Sequence, residues 1–494
     1  MGVLRRLAVV VLLIVIVAFF GQPLTTGGSG AVGEPNRASD RSATRAPLAL
    51  PIPSTAASAP AVAVASGPAV AVASEPAVAA ATSIVPGAVH RTSLHLTATY
   101  DASLRIRWAS GTIRVHETIS VRNTSTRSID RLELNTVAAK LERLRNLAVS
   151  VDGSPAAPAI RGQTIVVPLG GVLPVGADTT VRLAFTATLR ATTGGSNWLF
   201  AKAHGIADLY RWLPWVSRRT PFGRPNFGDP FVTPTSPQVT VRISATRPLR
   251  YATSGRLLSN DGGTKTYRAT NVRDFAVVAS PDFRRTSGSV DGVRVIVFAK
   301  PGSPAASLLT WAKRALHAQA AKVGAYPYRT FTVAETAGGY GMEAPASIWI
   351  PRGIESWRIP YLVEHETAHQ WFYGIVGNDQ AREPWTDEAA ADFLARRILR
   401  ERRASRCATA RLDRSIYDYS SGCYYEVVYI QGGNLIDDVR QRIGATAFWK
   451  ALRGYVAANR YGLAHERTLL DALDDATSLD LAAWRFEARF PSRY

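Results

Sequence analysis

Four textures of hydrophobic and polar positions follow one another along the chain. The first is an unbroken apolar run from Leu7 to Phe20 behind Arg5 and Arg6, and a positive flank leading into such a run marks an export signal. The run is shorter than the ~20 residues of a spanning helix, although Gly21 and Leu24 can extend it, so residues 1–24 are either a cleaved signal peptide or a retained membrane anchor. No cysteine follows for lipid attachment and no clear small-x-small cleavage site is present, which tips the reading toward the anchor. Residues 25–89 are Ala, Pro, Ser, Gly and Val, with an eight-residue repeat: A-P-A-V-A-V-A-S at 59–66, G-P-A-V-A-V-A-S at 67–74 and E-P-A-V-A-A-A-T at 75–82. Recurrent proline and the lack of large side chains make this a disordered linker; the unit is too small for a solenoid.

The third texture, residues 90–285, alternates with period two, as in Leu104-Arg105-Ile106-Arg107, Thr112-Ile113-Arg114-Val115 and Val239-Thr240-Val241-Arg242-Ile243. Turns rich in Gly, Asn, Asp and Pro separate these runs, which predicts an antiparallel β-sandwich or saddle. From residue 286 to 494 the pattern changes. A strand at Val293–Phe298, a helix near Pro304–Val323 and a strand at Thr330–Glu335 precede helix after helix, an α+β and mainly helical second domain.

Composition adds two constraints. A formal charge of +20 makes the surface basic, yet the arginines are scattered, without the basic stripe, stacking aromatics or Cys/His finger of a nucleic-acid module, so nucleic acid is excluded as a partner. The two cysteines, Cys407 and Cys423, rule out a disulfide-scaffold fold; in an exported protein they pair with each other.

Chemistry concentrates in Tyr361-Leu362-Val363-Glu364-His365-Glu366-Thr367-Ala368-His369-Gln370-Trp371-Phe372. Pro360 suits a first helical position and Gly374 and Gly377 suit the end, which places the segment on one helix. At i and i+4, His365 and His369 share a face and can converge on one ion, with Glu366 directed at a water there. Eighteen residues separate His369 from Glu388, which lies on a second helix with Thr386 as its N-cap. Two histidines and a carboxylate leave a fourth position open, the arrangement of a catalytic zinc site, one ion per chain. Asp392, one turn after Glu388, is placed to support a liganding imidazole or to stand as a solvated carboxylate.

The spacing H-E-x-x-H, 18 residues, E resembles the aminopeptidase N family of zinc metallopeptidases. The match extends through Gln370-Trp371-Phe372 after the second histidine, and Trp385-Thr386-Asp387-Glu388 looks like the family's W-x-N-E. Gly341-Met342-Glu343-Ala344 resembles the exopeptidase motif G-x-M-E-N, and Tyr429-Ile430-Gln431-Gly432 resembles Y-E-K-G. The resemblance implies a thermolysin-like catalytic domain, Glu366 as general base, Tyr429 as the transition-state tyrosine, and Gly341, Met342 and Glu343 as substrate-binding residues. From the residues alone, Tyr424 and Tyr425 compete with Tyr429. Ala344 and Gln431 depart from the family's Asn and Lys, and the sequence stops near the end of the thermolysin-like domain, without the family's large helical C-terminal domain. Glu343 precedes Ile348-Trp349-Ile350, read as the sheet edge along which a peptide aligns. The expected function is an extracytoplasmic zinc aminopeptidase acting on peptides, membrane-anchored by its N-terminal segment or secreted. A zinc endopeptidase with an open cleft, and a surface-binding β-module carrying an inactive peptidase domain, are the alternatives.

Overall fold

The computed structural model describes residues 83–142, 144–223, 226 and 228–494. The expected signal or anchor and the repeats of the linker lie outside the described residues. Ordered pairing begins at Val85, whose N–H and C=O exchange hydrogen bonds of 2.9 and 2.8 Å with Val172. Among the described residues no helix is long and apolar enough to cross a membrane.

The alternating segments build an eight-stranded sheet whose centre is Val239–Ala245, Thr97–Arg107, Thr112–Arg122 and Asp178–Thr188. Ala98, Tyr100, Ala102, Leu104 and Ile106 face inward, and so do Ile113, Val115 and Ile119, while the arginines between them face water. One pairing departs from the antiparallel expectation: Thr97–Arg107 runs parallel to Val239–Ala245. Strands so far apart in sequence are joined by a crossover and not by a hairpin, so nothing forces them to be antiparallel. Two four-stranded sheets, one centred on Ile206–Leu209 and Val277–Ser280 and the other on Ile129–Asn135 and Thr164–Leu173, bury the opposite side of this core.

A five-stranded sheet follows, in the order Arg284–Val290, Val293–Ala299, Thr330–Thr336, Ser347–Pro351, Met342–Ala344. Its three central strands are parallel, and the helix Ala305–Val323 provides a crossover. The edge is Met342–Ala344, antiparallel to Ser347–Pro351, so the expected edge at Ile348–Ile350 lies one strand further in. Those two strands also interrupt the expected unbroken series of helices. Both faces of the sheet are covered: Ala334 and Trp349 belong to the core of the β-sheets, whereas Val333, Ile348 and Ile350 belong to the core of the helices. The helices are Ile359–Ala368, Trp385–Leu399, a π-helix Tyr425–Gln431 continued by Gly432–Ile443, then Ala445–Ala458 and Glu466–Asp474. Cys407 and Cys423 form a disulfide just before the π-helix.

One buried cation fastens the two regions. Arg273, 1% exposed, donates to the carbonyls of Thr233 at 2.7 Å, Gly374 at 3.2 Å, Ile375 at 3.3 Å and Gly462 at 3.0 Å. Its approach requires glycine at 377, where a Cβ would collide with the guanidinium.

Glu117 stands in the inward row between Val115 and Ile119, and neither carboxyl oxygen has a partner among the described residues. Burial pushes its pKa well above the ordinary value. The folded form therefore keeps a proton that the unfolded chain releases above about pH 4.3, and stability falls by about 1.4 kcal/mol per pH unit until the raised folded pKa is passed. Glu117→Gln is expected to raise the melting temperature at pH 8 and to narrow that gain toward pH 5.5, as thermal unfolding at both pH values will measure.

Candidate metal centre

The helix Ile359–Ala368 begins with Pro360 in its first turn and presents His365 and Glu366, both buried, at its C-terminal end. It stops earlier than the glycines predict, with His369 as the C-cap at φ −61°. Beyond it the amides of Gly374, Ile375 and Val376 bond to the carbonyls of His369, Gln370 and Trp371, each five residues back. Within the widened turn the Gln370 side-chain oxygen accepts from Ala346 N at 2.8 Å and its Nε2 donates to Ala344 O at 3.0 Å. These bonds tie the ligand helix to the sheet edge.

Glu388 lies in the first turn of Trp385–Leu399. Thr386 is not the N-cap: Pro384 is, and the Thr386 hydroxyl turns back to donate to Glu383 O at 3.1 Å. A proline can stand there because the missing N–H has no helical acceptor to lose.

Three donor atoms converge. His365 Nε2 and His369 Nε2 are 3.3 Å apart, and Glu388 Oε2 is 3.4 Å from each. Zinc bonds nitrogen and oxygen at about 2.0–2.1 Å, and the edge of a tetrahedron with such arms is about 3.3–3.4 Å. The triangle thus has the dimensions of one face of a zinc tetrahedron, and the donor set fits the ion. His369 Nδ1 donates to Phe372 O at 3.1 Å, so the neutral ring carries its lone pair on Nε2. His365 is set differently, its ring stacked between Tyr361 and Tyr429 at 5.7 and 5.6 Å, and its Nδ1 has no partner among the described residues.

The charge around the triangle is lopsided. Glu343, Glu366, Asp387 and Glu388 are all buried there. Burial drives the Glu366 carboxyl well above its ordinary range, with Glu343, Glu388 and Asp229 adding to the effect of burial. Burial works against the charge of Glu388, but the two histidines outweigh it and hold that carboxyl low. Burial also opposes protonation of His369, and the surrounding carboxylates reverse the sign and raise it. Uncompensated buried charge is costly, and a divalent ion on the three donors would supply the missing counter-charge.

Glu343, Glu366 and His369 bring one donor atom each within 4.8 Å of one another, so the exopeptidase-like motif faces the same space. Gly341 leaves room for Glu366, since a Cβ there would strike Glu366 Oε1 and stand 2.8 Å from Leu362, displacing the Glu366 carboxyl. Met342 is buried in the edge strand beneath it. Of the three tyrosines, Tyr429 faces the triangle: its hydroxyl lies against Glu388, and burial first and then Glu388 raise its pKa. Tyr425 instead bonds Tyr361 and Arg403, at 3.3 and 3.1 Å, and the ring of Tyr424 packs against Tyr419 and Tyr429. Asp392 accepts from the Tyr361 hydroxyl at 2.6 Å and pairs with Arg396 at 2.8 Å, and among the described residues it bonds to neither imidazole. Its partner Tyr361 stacks on His365, so the direct bond to an imidazole is absent, and at 0% exposed Asp392 is not a solvated carboxylate either. Two residues that sequence reasoning missed join the site: Gln380, which donates to Glu343 at 2.9 Å, and Asp229, whose charge acts on Glu366 and Tyr429. Neither belongs to a motif.

No family model and no curated protein matches this sequence. Solved structures do match. A point mutant of an M1 zinc metallopeptidase from Deinococcus radiodurans aligns with TM-score 0.63 and 18% identity, over 84% of this chain and 97% of that one. The mutant from the same organism bound to a Tyr-Ser-Ala substrate aligns with TM-score 0.63 and 17% identity, over 83% and 96%. A two-domain M1 zinc metallopeptidase mutant bound to L-tryptophan gives 0.62 and 18%, over 81% and 94%. The chain thus shares the fold of these proteins. It is the fold that solved M1 zinc metallopeptidases adopt.

Chelation of a zinc-loaded sample is expected to lower the melting temperature and added zinc to restore it, because the ion binds only the folded triangle. His369→Ala should hold no zinc by elemental analysis and show no such shift.

Proposed function

We propose that the protein is a zinc-dependent aminopeptidase that removes N-terminal residues from peptides. The observation that carries the reading is the buried triangle of His365, His369 and Glu388, with Glu366 and Glu343 opening onto the same space. One zinc ion per chain, held by those three residues, would polarise the scissile carbonyl and ease deprotonation of the attacking water.

The remaining work belongs to side chains of this chain. Glu366, as the carboxylate, takes a proton from the water and passes it to the leaving amine. Tyr429 donates its phenolic hydrogen bond to the oxyanion, a contact that strengthens as charge develops. Glu343 receives the α-ammonium of the peptide beside the edge strand, which sets the first peptide bond over the metal. Neighbours of the same fold bound to an amino acid and to a tripeptide support peptide substrates. We also place the protein outside the cytoplasm, on the strength of Arg5-Arg6 followed by the run Leu7–Phe20 and of the Cys407–Cys423 pair.

Glu366→Gln should keep its zinc and lose at least about a thousandfold in kcat. Glu343→Ala should lower kcat/KM on free-amine peptides by about 30-fold or more while zinc content stays constant. A panel of free and N-acetylated peptides decides between exopeptidase and endopeptidase: equal cleavage of both by the wild type would replace this reading with the endopeptidase.

A further inference from the structure

Glu343 is not free to turn. Its Oε1 accepts a 2.9 Å hydrogen bond from Gln380 Nε2, and Gln380 Oε1 accepts in turn from Arg211 Nη2 at 3.3 Å. All three side chains are buried. They come from three parts of the chain: Glu343 from the edge strand, Gln380 from the connection between the two ligand helices, and Arg211 from the segment after the strand Ile206–Leu209.

The direction of the Gln380 amide is dictated by its neighbours. Arginine offers only donors and an ionised carboxylate only acceptors, so an amide between them has one satisfactory orientation, oxygen to Arg211 and NH2 to Glu343. Flipping it would set donor against donor and acceptor against acceptor.

Arg211 is itself fixed. Its backbone holds φ +42°, and its guanidinium lies 4.2 Å from the Phe231 ring centre, 5.2 Å from Tyr210 and 5.6 Å from Tyr373. The guanidinium also donates to the hydroxyls of Thr233 and Tyr373, each at 3.3 Å. The Arg211 carbonyl accepts from Val137 N at 3.1 Å and from the Thr136 hydroxyl at 2.9 Å.

We propose that Gln380, oriented by Arg211, is the positioning residue that gives this site its demand for a free α-amine. It holds one oxygen of Glu343 so that the other is presented to the substrate ammonium. The amide also keeps the cation one residue away. A direct Arg–Glu pair would consume the carboxylate charge on a protein group, whereas a neutral amide transmits the orientation and leaves that charge for the substrate. A carboxylate held in advance loses no rotamer freedom on binding. This inference rests on the amine-anchoring role of Glu343 proposed above.

The test compares wild type, Gln380→Met, Gln380→Glu and Glu343→Ala as full chains. The measurements are zinc content, KM and kcat on the best aminoacyl arylamide, and inhibition constants for an amino acid amide and its N-acetylated counterpart. Gln380→Met removes both bonds; Gln380→Glu keeps the shape and the contact with Arg211 but loses the donor, and it serves if the methionine variant does not fold. Either variant is expected to raise KM and the inhibition constant of the free-amine compound by about tenfold or more. Zinc content, and inhibition by the acetylated compound, should not move, and kcat should fall far less than KM rises. If both inhibition constants move together, or neither does, Gln380 is only a packing residue and the proposal is overturned. If the wild type and Glu343→Ala show amine anchoring while the Gln380 variants are neutral, this proposal alone falls. If the wild type does not distinguish the two compounds, the aminopeptidase reading falls with it.

Discussion

Two imidazole nitrogens and a carboxylate oxygen, buried and 3.3–3.4 Å from one another, impose the constraint that the rest of the molecule serves. Such donors repel or leave each other unsatisfied unless a cation stands between them, so they stay together only if the scaffold holds them. The ligand helix is accordingly tied at its C-terminal end to the sheet edge by both ends of the Gln370 amide. The second helix is fixed against the first through Tyr361, Asp392 and Arg396, a buried chain of a hydroxyl, a carboxylate and a guanidinium. His369 is oriented by a backbone carbonyl and His365 by aromatic stacking. Two different devices thus orient two chemically equivalent candidate ligands.

The β-sheets are part of that scaffold. Asp208, whose carboxyl burial pushes up to about 7, accepts from the Thr336 hydroxyl at 2.5 Å and from Ala337 N at 3.0 Å, at the start of the loop that leads to Gly341 and Glu343. Arg273 grips three carbonyls of the helical region, two of them in the widened turn after His369. Both contacts place the β-region directly behind the candidate substrate edge and the ligand turn. A change in the β-core should therefore be felt at the site through backbone position, without any change in the ligands.

Much of this was legible because it depends on local spacing. Period-two runs gave the strands around Leu104, Ile113 and Val241, and the i, i+4 histidines with a carboxylate after 18 residues brought together the donors that the structure converges. The pairing of Cys407 with Cys423 needed that no other cysteine exists and that the chain be read as exported. What stayed hidden depends on distant partners. The helix stops at Ala368, where the Gln370 side chain two residues on bonds Ala344 and Ala346 at the sheet edge, and the parallel pairing of Thr97–Arg107 depends on a segment far along the chain. Gln380 and Arg211 carry no motif, and their meaning appears only once Glu343 is beside them. Thr386 shows a smaller limit: a good capping residue yields when a proline one place earlier sets the first turn.

The parallel pairing of Thr97–Arg107 with Val239–Ala245 also sets a timetable. Its other neighbour, Thr112–Arg122, follows within a few residues and can zip onto it as a hairpin as soon as both have been synthesised. Val239–Ala245 emerges far later, so one margin of a central strand, including Tyr100, Ala102, Leu104 and Ile106, waits with its amides and carbonyls open while the intervening segment is made. Open strand margins of that kind recruit any other extended chain that arrives first. A pause in elongation before residue 239 thus prolongs the stage at which a neighbouring nascent copy can pair with that open margin.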